Sequence, residues 1–240
     1  MDFYKLLFVA VLVCVLPSCA AKHSDGKEMI PTIYYKPTIN QKSSQCTADE
    51  LRDLLSPDGE SLVTLCQKDF DLCLLQGSCF VDNGKEVISY NYHSIKDSVP
   101  RFIPVDLKVC PYGYGVRSSC LDPYFSVAAD LKYYKAGDVI FIPRLEGAVL
   151  PNKEVHDGFM IVRDSGGGVL GLHRFDFFTG FFDHRSRNNT LARLGFGDPK
   201  NRFEYRMATE AEAQAVRVKR NYPGLKASAL EEGYLTRPHR

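Results

Sequence analysis

The chain has 240 residues, a formal net charge of +1 and a hydrophobic content of 45%. This balance excludes the basic excess that usually marks nucleic-acid-binding proteins, so no nucleic-acid partner is expected. Beyond the N-terminal segment, no apolar run approaches the roughly 20 residues that a membrane-spanning helix needs. The remaining length is enough for one sizeable core, or for a core with an inserted subdomain.

The N-terminal segment has the pattern of a secretory signal peptide. An unbroken apolar run extends from Leu6 to Leu16, which is too short to span a bilayer but typical of a signal-peptide core. Leu16-Pro17-Ser18-Cys19 follows and resembles a bacterial lipobox, in which Cys19 is the lipidated residue. Ordinary cleavage after Ala20 is the alternative. Both readings predict export, either as a periplasmic lipoprotein anchored in the outer membrane by its N-terminus or as a secreted soluble protein.

Six of the eight cysteines lie beyond Cys14 and Cys19, and an even number in an exported chain predicts disulfide bonds. The candidates are Cys46, Cys66, Cys73, Cys79, Cys110 and Cys120. Their pairing stays open at this stage. Zinc is the competing use of clustered cysteines, but no C-x-x-C pair occurs. We therefore expect three disulfides, no metal and no cofactor.

The first half of the predicted domain mixes a strand with a cysteine-rich segment. Ile30 to Ile39 is predicted as a strand. Thr47-Ala48-Asp49-Glu50 is a capping box followed by leucines at helical spacing, which predicts a helix. The segment 46–85 also holds four of the six cysteines, so we interpret it as a small helical insertion stapled by disulfides.

From Glu86 onward the composition favours short β-strands separated by Gly and Pro. Val139–Ile142 and Phe159–Val162 are predicted strands, and Gly166-Gly167-Gly168 predicts a turn that suits glycine. Thr209 to Glu212 is a second capping box, which predicts a helix to about Arg220. The predicted organisation is a signal peptide (1–18), a tether (19–29), a first barrel strand region (30–45), the insertion (46–85), a β-barrel (86–205), and a C-terminal helix with a tail (206–240).

Three short stretches each carry an aspartate in a distinctive setting. Asp130 precedes a glycine turn and a strand that ends in Ile142-Pro143. Asp164 opens the glycine-rich stretch that ends at Gly171, and Asp176 lies in the aromatic run Phe175-Asp176-Phe177-Phe178. An aspartate before a glycine turn is often only a turn cap. Asp176 differs, because desolvation among aromatic residues raises the pKa of a carboxyl, as a general acid requires.

Over about residues 125–180 these motifs resemble the three-aspartate (3D) domain family, to which membrane-bound lytic transglycosylase A belongs. The family pattern A-x-D, G-x-x-V-x-I-P, D-x-G-G-x-I-x-G and hydrophobic-D is met in order, with Asp130, Asp164 and Asp176 on its three aspartates. The resemblance implies a double-psi β-barrel of barwin-like type. With the elements above, the expected fold is mainly β, a double-psi barrel with a small helical, disulfide-rich insertion and a C-terminal helix.

The resemblance also implies the chemistry. The third family aspartate is the catalytic acid/base, which is Asp176 here, and the substrate is the glycan strand of bacterial peptidoglycan. Cleavage next to N-acetylmuramic acid would use that sugar's own C6 hydroxyl as nucleophile and leave a 1,6-anhydro end. Asp130 and Asp164 are expected to support Asp176 and to titrate with it as a coupled set if they lie close together.

Two departures from the family pattern direct attention to further residues. One extra residue stands between the second and third aspartates, and Leu170 replaces a usual lysine. Nearby cations are the candidates to replace that charge, and tyrosines are candidates to stack on sugar rings. The predicted substrate-binding residues are Tyr112, Tyr114, Arg163, Gly166, Gly167, His173 and Arg174. The Cys110–Cys120 segment is expected on the rim of the groove, and the insertion is the candidate for its opposite wall.

Two other functions remain open. The first is a non-catalytic module that binds cell-wall polysaccharide, as barwin- and expansin-type barrels do. The second is a peptidoglycan hydrolase that uses Asp176 and Asp164 as an acid/base pair and yields reducing ends. In each case a monomer is expected.

Overall fold

The computed structural model describes residues 26–226. The predictions on the signal peptide, the lipobox and Cys19, and most of the C-terminal tail, lie outside these residues. Among residues 26–226, none of the helices combines the length and the apolarity that crossing a bilayer demands.

The described residues form twelve strands and three α-helices. The strands are β1 (Lys27–Tyr34), β2 (Thr38–Asn40), β3 (Leu51–Leu55), β4 (Ser61–Cys66), β5 (Ser78–Asp82), β6 (Val87–Lys96), β7 (Val99–Val105), β8 (Ser126–Ala129), β9 (Val139–Phe141), β10 (Phe159–Asp164), β11 (Arg174–Phe178) and β12 (Phe203–Met207). The helices are α1 (Gln67–Gln76), α2 (Thr190–Arg193) and α3 (Glu210–Lys219). The mainly-β prediction is therefore confirmed.

Six strands close into a barrel in the order β1-β11-β8-β10-β9-β12. The alternation of the strands explains its core, because successive side chains point to opposite faces. On β11, Phe175 and Phe177 point inward and are fully buried with Val127 of β8. Phe178 and Ala128 instead join a smaller cluster outside the barrel. The barrel therefore has an apolar interior and, on β1, β11 and β8, a second buried face.

The other six strands form one open sheet in the order β2-β5-β6-β7-β3-β4. Its strands β5 and β6 lie against the outer face of the barrel. The Phe80 ring lies 5.4 Å from that of Phe181, and Lys36 Nζ donates to Ser89 Oγ at 2.8 Å. The molecule thus has two layers, and the space between them is available for a site.

The predicted helical insertion is wrong in its main feature. The capping box at Thr47 and Glu50 is present, but it starts only a 3-10 helix, Ala48–Glu50. Leu51–Leu55 is a strand that pairs with β4, and Leu54 is the member that is buried. Tertiary pairing overrides the local helix signal here. Segment 46–85 contributes three strands and one helix to the open sheet.

Two further predictions on the organisation need correction. The predicted strand over Ile30–Ile39 is two strands, because the chain leaves the barrel after Tyr34 and enters the open sheet at Thr38. Pro37 lies at the crossing, where it has no N–H to contribute to a ladder. The segment 86–205 is also not all barrel, since β6 and β7 belong to the open sheet.

The prediction of three disulfides is confirmed, and the structure settles the pairing. The pairs are Cys46–Cys66, Cys73–Cys79 and Cys110–Cys120. The first two lie in the open sheet and staple β4, α1 and β5. The third closes a loop between the open sheet and the barrel.

The predicted C-terminal helix is present as α3. Thr209 Oγ1 accepts from the N–H of Glu212, whose carboxylate accepts from the Thr209 N–H, so the capping box is complete. Ala213 and Val216 of α3 pack on Val139 and Ile161 of the barrel. The helix therefore covers the barrel at β9 and β10.

Candidate active-site groove

Asp164 and Asp176 lie on the two strands that flank β8. Asp176 pairs with Ala128 from β11, and Asp164 pairs with the same Ala128 from β10. A register shift after Val162 leaves Arg163 as the extra residue of a bulge, and such bulges re-aim the side chains that follow. Both carboxylates consequently emerge on the outer face of the barrel, toward the open sheet.

The Asp176 carboxylate is buried against the barrel, although the side chains of its two sequence neighbours point away from it. Phe175 and Phe177 face the interior, so the aromatic run does not itself surround the carboxylate. Thr32 Oγ1 of β1 donates to Asp176 Oδ1 at 2.7 Å. Burial raises the pKa of Asp176, while the Thr32 hydroxyl and the Arg174 charge oppose that rise. The predicted raised pKa therefore holds, but its cause is enclosure in the groove.

Asp164 has a similar environment. Tyr34 Oη donates to Asp164 Oδ2 at 2.9 Å, and the backbone N–H of Ser165 donates to Oδ1 at 2.8 Å. Burial raises the pKa of Asp164 to about 7, the nearby Asp176 adds to the rise, and the two hydrogen bonds oppose it. Asp164 and Asp176 thus form a pair of neighbouring carboxyls that both have raised pKa values.

Asp130 has a different role from the other two. Its carboxylate accepts from the N–H of Gly171 at 2.8 Å and from the N–H of Lys132 at 2.9 Å. These backbone hydrogen bonds lower the pKa of Asp130. Asp130 is therefore ionised and fixes the turn before β11. The expectation that all three aspartates titrate as one set is corrected to a pair.

A groove of about 730 Å³ runs between the two layers and contains both members of the pair. On the barrel side it is lined by Tyr34, Ala128 and Arg174 as well as Gly166 and Gly167. The opposite wall comes from the end of α1 and the start of β5 (residues 74–78) and from β6. The cysteine-rich segment thus contributes to that wall, as the sequence suggested, and β6 completes it.

The Cys110–Cys120 loop reaches the rim of the groove through Tyr114, Gly115 and Val116. Asn91 Nδ2 of β6 donates to the Tyr114 carbonyl at 2.6 Å. Gly115 is required for this approach, because a Cβ there would collide with the Arg163 carbonyl. The loop therefore lines the groove and contacts both the open sheet and the barrel.

Three of the predicted substrate-binding residues do not line this groove. Arg163 is fully buried and donates to the carbonyls of Cys120, Pro223 and Gly224, so it anchors the C-terminal segment. His173 instead contacts Tyr205. Tyr112 is buried, and its ring packs against the ring of Phe178.

The glycine stretch behaves differently from its prediction. None of Gly166, Gly167 and Gly168 has a positive φ, and the left-handed residues of this turn are Gly171 (φ +94°) and His173 (φ +64°). A Cβ at Gly167 or Gly168 would meet nothing within 4 Å. Because these glycines have no side chains, they leave one edge of the groove open.

Sequence reasoning missed Thr32 and Tyr34, the two hydroxyl donors to the pair. They stand two residues apart on β1 and so share a face, a signal that the sequence does contain. Their partners lie 144 and 130 residues away, so nothing local shows what they bind. Within the described residues, no group of three or more His, Cys, Asp or Glu side chains is arranged to hold a metal ion.

The 3D domain family matches residues 125–189. This segment carries β8 to β11 with all three aspartates, so the resemblance to the 3D domain family predicted from the sequence is confirmed over these residues. A search of curated protein sequences found no match.

Solved structures with a similar chain path are lytic transglycosylases of low sequence identity. Escherichia coli MltA with bound chitohexaose has 15% identity and a TM-score of 0.48, over 76% of this chain and 72% of that one. The membrane-bound lytic murein transglycosylase of Agrobacterium tumefaciens has 13% identity and a TM-score of 0.47, over 78% and 75%. MltA of Neisseria gonorrhoeae has 13% identity and a TM-score of 0.43, over 76% and 72%.

Proposed function

We propose that this protein is a peptidoglycan lytic transglycosylase in which Asp176 is the general acid/base. The observation that carries the proposal is the Asp164–Asp176 pair, which lies in a groove within a 3D domain and has raised pKa values. Protonated Asp176 donates to the oxygen of the bond between N-acetylmuramic acid and N-acetylglucosamine. The resulting carboxylate accepts the proton of the C6 hydroxyl as its oxygen attacks C1.

One carboxyl is sufficient for this reaction because the nucleophile belongs to the substrate. An intramolecular attack has a high effective concentration and needs no positioned water. Asp164 then raises the proton affinity of Asp176 by like-charge repulsion. Tyr34 and Thr32 hold the two carboxylates in place, and Tyr114, Arg174 and the backbone at Gly166 and Gly167 are the proposed contacts to the glycan.

The carboxyl pair also favours one competing function, a hydrolase with Asp176 as acid and Asp164 as base toward water. Digestion of purified sacculi in H₂¹⁸O separates the two by mass spectrometry. A transglycosylase gives anhydro ends that lack the label, and a hydrolase gives labelled reducing ends. A wall-binding module without catalysis would bind sacculi and release neither product.

Asp176→Asn tests the assignment of the acid. We expect loss of anhydro products by about 10²–10⁴-fold, the usual contribution of an acid/base group, while a cooperative melting transition is retained. Asp58→Asn, an exposed aspartate in a turn of the open sheet, is the matched control and should retain full activity. Wild-type product release by Asp176→Asn would show that the acid lies elsewhere.

The barrel type and the export route are proposed as well. Two barrel pairs, β1–β11 and β8–β10, are parallel among antiparallel neighbours, which supports a double-psi barrel. We propose export with lipidation at Cys19, as the N-terminal sequence indicates. Metabolic labelling with a fatty acid should mark the wild type and not Cys19→Ser. Absence of label from both proteins would favour the alternative, a secreted soluble protein.

A further inference from the structure

A second cavity, of about 480 Å³, lies beyond the end of β11 and outside the groove. This volume is typical of small-molecule sites. Its apolar walls include Tyr124, Phe125, Pro151 and Phe181, and Arg193 lies among its polar lining residues. We refer to it as the Tyr124 pocket.

Tyr124 is the feature of this pocket that calls for a ligand. Its side chain is only 6% exposed, and its hydroxyl has no hydrogen-bond partner among the described residues. A buried hydroxyl without a partner costs free energy, of the order of 1–3 kcal/mol. Burial raises the pKa of Tyr124, so the hydroxyl is neutral and able to donate. An acceptor from a ligand would satisfy it.

The backbone holds Tyr124 in this position against its preference. Its φ is +65°, in the left-handed region that bulky residues rarely adopt. The Tyr124 N–H donates to the Phe178 carbonyl at 2.8 Å, and its carbonyl lies 2.8 Å from His156 Nε2. Such strained positions persist where the surroundings over-determine them, and they cluster at binding sites.

The charges around the pocket select an anionic group. Arg220 forms ion pairs with Asp122 at 2.8 Å and with Glu154 at 2.9 Å, and Lys226 also contacts Glu154 at 3.2 Å, so the two acids and the two bases balance one another. Arg193 lines the same cavity as Tyr124, and its charge opposes the rise in the pKa of Tyr124 that burial causes. Arg193 donates to the Arg187 carbonyl and to Thr190 Oγ1, and no described carboxylate forms a salt bridge with it. A carboxylate would accept from both Tyr124 and Arg193.

The walls favour a peptide over a sugar as the body of that ligand. One face of the Phe125 ring stacks on His156 at 4.6 Å, and the Arg220 guanidinium lies 3.4 Å from the ring centroid. Neither face is therefore free for sugar stacking. A short peptide with small apolar side chains and a carboxylate matches the remaining apolar surface.

We infer that the Tyr124 pocket binds a carboxylate of the peptide stem of peptidoglycan; this inference rests on the proposed function. The reach is adequate. From Asp176 in the groove, β11 leads in three residues to Thr179 at the pocket, about 10 Å at the rise of a strand. A stem of three or four extended residues spans about 10–14 Å. The glycan would lie in the groove while its stem reaches the pocket.

Isothermal titration of the full chain with a free stem tetrapeptide tests the inference. Wild type should bind it, and should bind the fully amidated tetrapeptide at least about tenfold more weakly. Tyr124→Phe and Arg193→Gln should each weaken binding of the free peptide about tenfold, equivalent to about 1.4 kcal/mol. Tyr133→Phe alters an exposed tyrosine outside both cavities and should bind as wild type does.

The fold is checked in the same samples. Tyr124→Phe removes an unsatisfied hydroxyl, so its Tm should equal or exceed that of wild type, and weaker binding would then not reflect unfolding. Absence of binding by wild type, or binding by Tyr124→Phe and Arg193→Gln that is as tight as that of wild type, would overturn the inference.

Asp176→Asn separates this inference from the proposed function. It should bind the stem tetrapeptide as wild type does while releasing no anhydro products. In a chain that retains Asp176, Tyr124→Phe should raise KM for peptide-bearing glycan about tenfold and leave KM for peptide-free glycan unchanged. Anhydro products without any peptide binding would reject the proposed role of the pocket and support the proposed activity. Peptide binding without anhydro products would reject the proposed activity and support the role of the pocket.

Discussion

Asp164 and Asp176 pair with the same residue, Ala128, from opposite sides of β8. Two carboxyls held on one face by a single strand cannot ionise independently, because each charge repels the other. The chemistry that we propose depends on this relationship, since a general acid must keep its proton near neutral pH.

Asp164→Asn should shift the pH profile of activity toward acid. Activity requires a protonated acid, so it falls as pH rises through the pKa of the pair, and the pKa of Asp164 is about 7. Removing the neighbouring charge lowers the pKa of Asp176. The alkaline limb of kcat/KM should therefore move to lower pH. An unchanged limb would mean that the two groups do not interact.

The same variant should be more stable than wild type at pH 8 and not at pH 4. The folded pKa of Asp164, about 7, lies above the ordinary aspartate value of 3.8. Between these values the folded state binds more protons than the unfolded chain, so stability falls as pH rises. Asparagine removes this cost, and thermal melts should show the Tm gain appearing between pH 4 and 7. A Tm gain that is independent of pH would contradict this explanation.

Tyr34→Phe should shift the alkaline limb of kcat/KM in the same direction as Asp164→Asn. The Tyr34 hydroxyl stabilises the ionised form of Asp164 and so lowers its pKa. Without it, Asp164 keeps its proton to higher pH and carries less negative charge beside Asp176, so Asp176 should lose its proton at lower pH. Tyr35→Phe is the control, because the Tyr35 hydroxyl has no contact with either aspartate. A shift of the limb to higher pH would show that Tyr34 does not act through the charge of Asp164.

The strand that ends at Asp164 could be predicted from the sequence, because Phe159–Val162 is a short apolar run before a glycine-rich turn. The partners of these residues could not be predicted. Thr32 and Tyr34 reach the site only through the parallel β1–β11 register, which no local pattern contains. The helix predicted after the capping box at Thr47 was wrong for a similar reason. Residues 51–55 form a strand because they pair with β4.

Asp130→Ala should impair the fold of the turn and lower activity only through that change, without altering the groups that titrate in the reaction. The Asp130 carboxylate accepts from Gly171 and Lys132, which lowers its pKa, so its contribution to stability exists above its ordinary pKa and is lost as pH falls. We expect a lower Tm and a reduced kcat/KM with an unchanged pH profile. Asp130→Asn retains one acceptor oxygen and should recover part of both. Complete inactivity with an unchanged Tm would instead place Asp130 in the reaction.

Lys36→Met should stabilise the protein, most strongly below neutral pH. Lys36 is fully buried on the barrel face that meets the open sheet, where Nζ donates to Ser89 and lies 4.6 Å from the Phe80 ring centroid. Burial lowers its pKa to about 7. Between pH 7 and 10.5 the unfolded chain binds more protons, so stability rises with pH and the full cost is present below 7.

The size of this cost can be stated to an order of magnitude. A shift of this size corresponds to about 3–5 kcal/mol, and loss of the hydrogen bond to Ser89 offsets about 1 kcal/mol of the gain. At pH 6 the Tm should rise by about 5–10 °C, and the gain should fade above pH 10. Lys85→Met, at an exposed turn, should show no such trend. A Tm gain equal at pH 6 and pH 10 would show that packing, and not the buried amine, limits stability at this position.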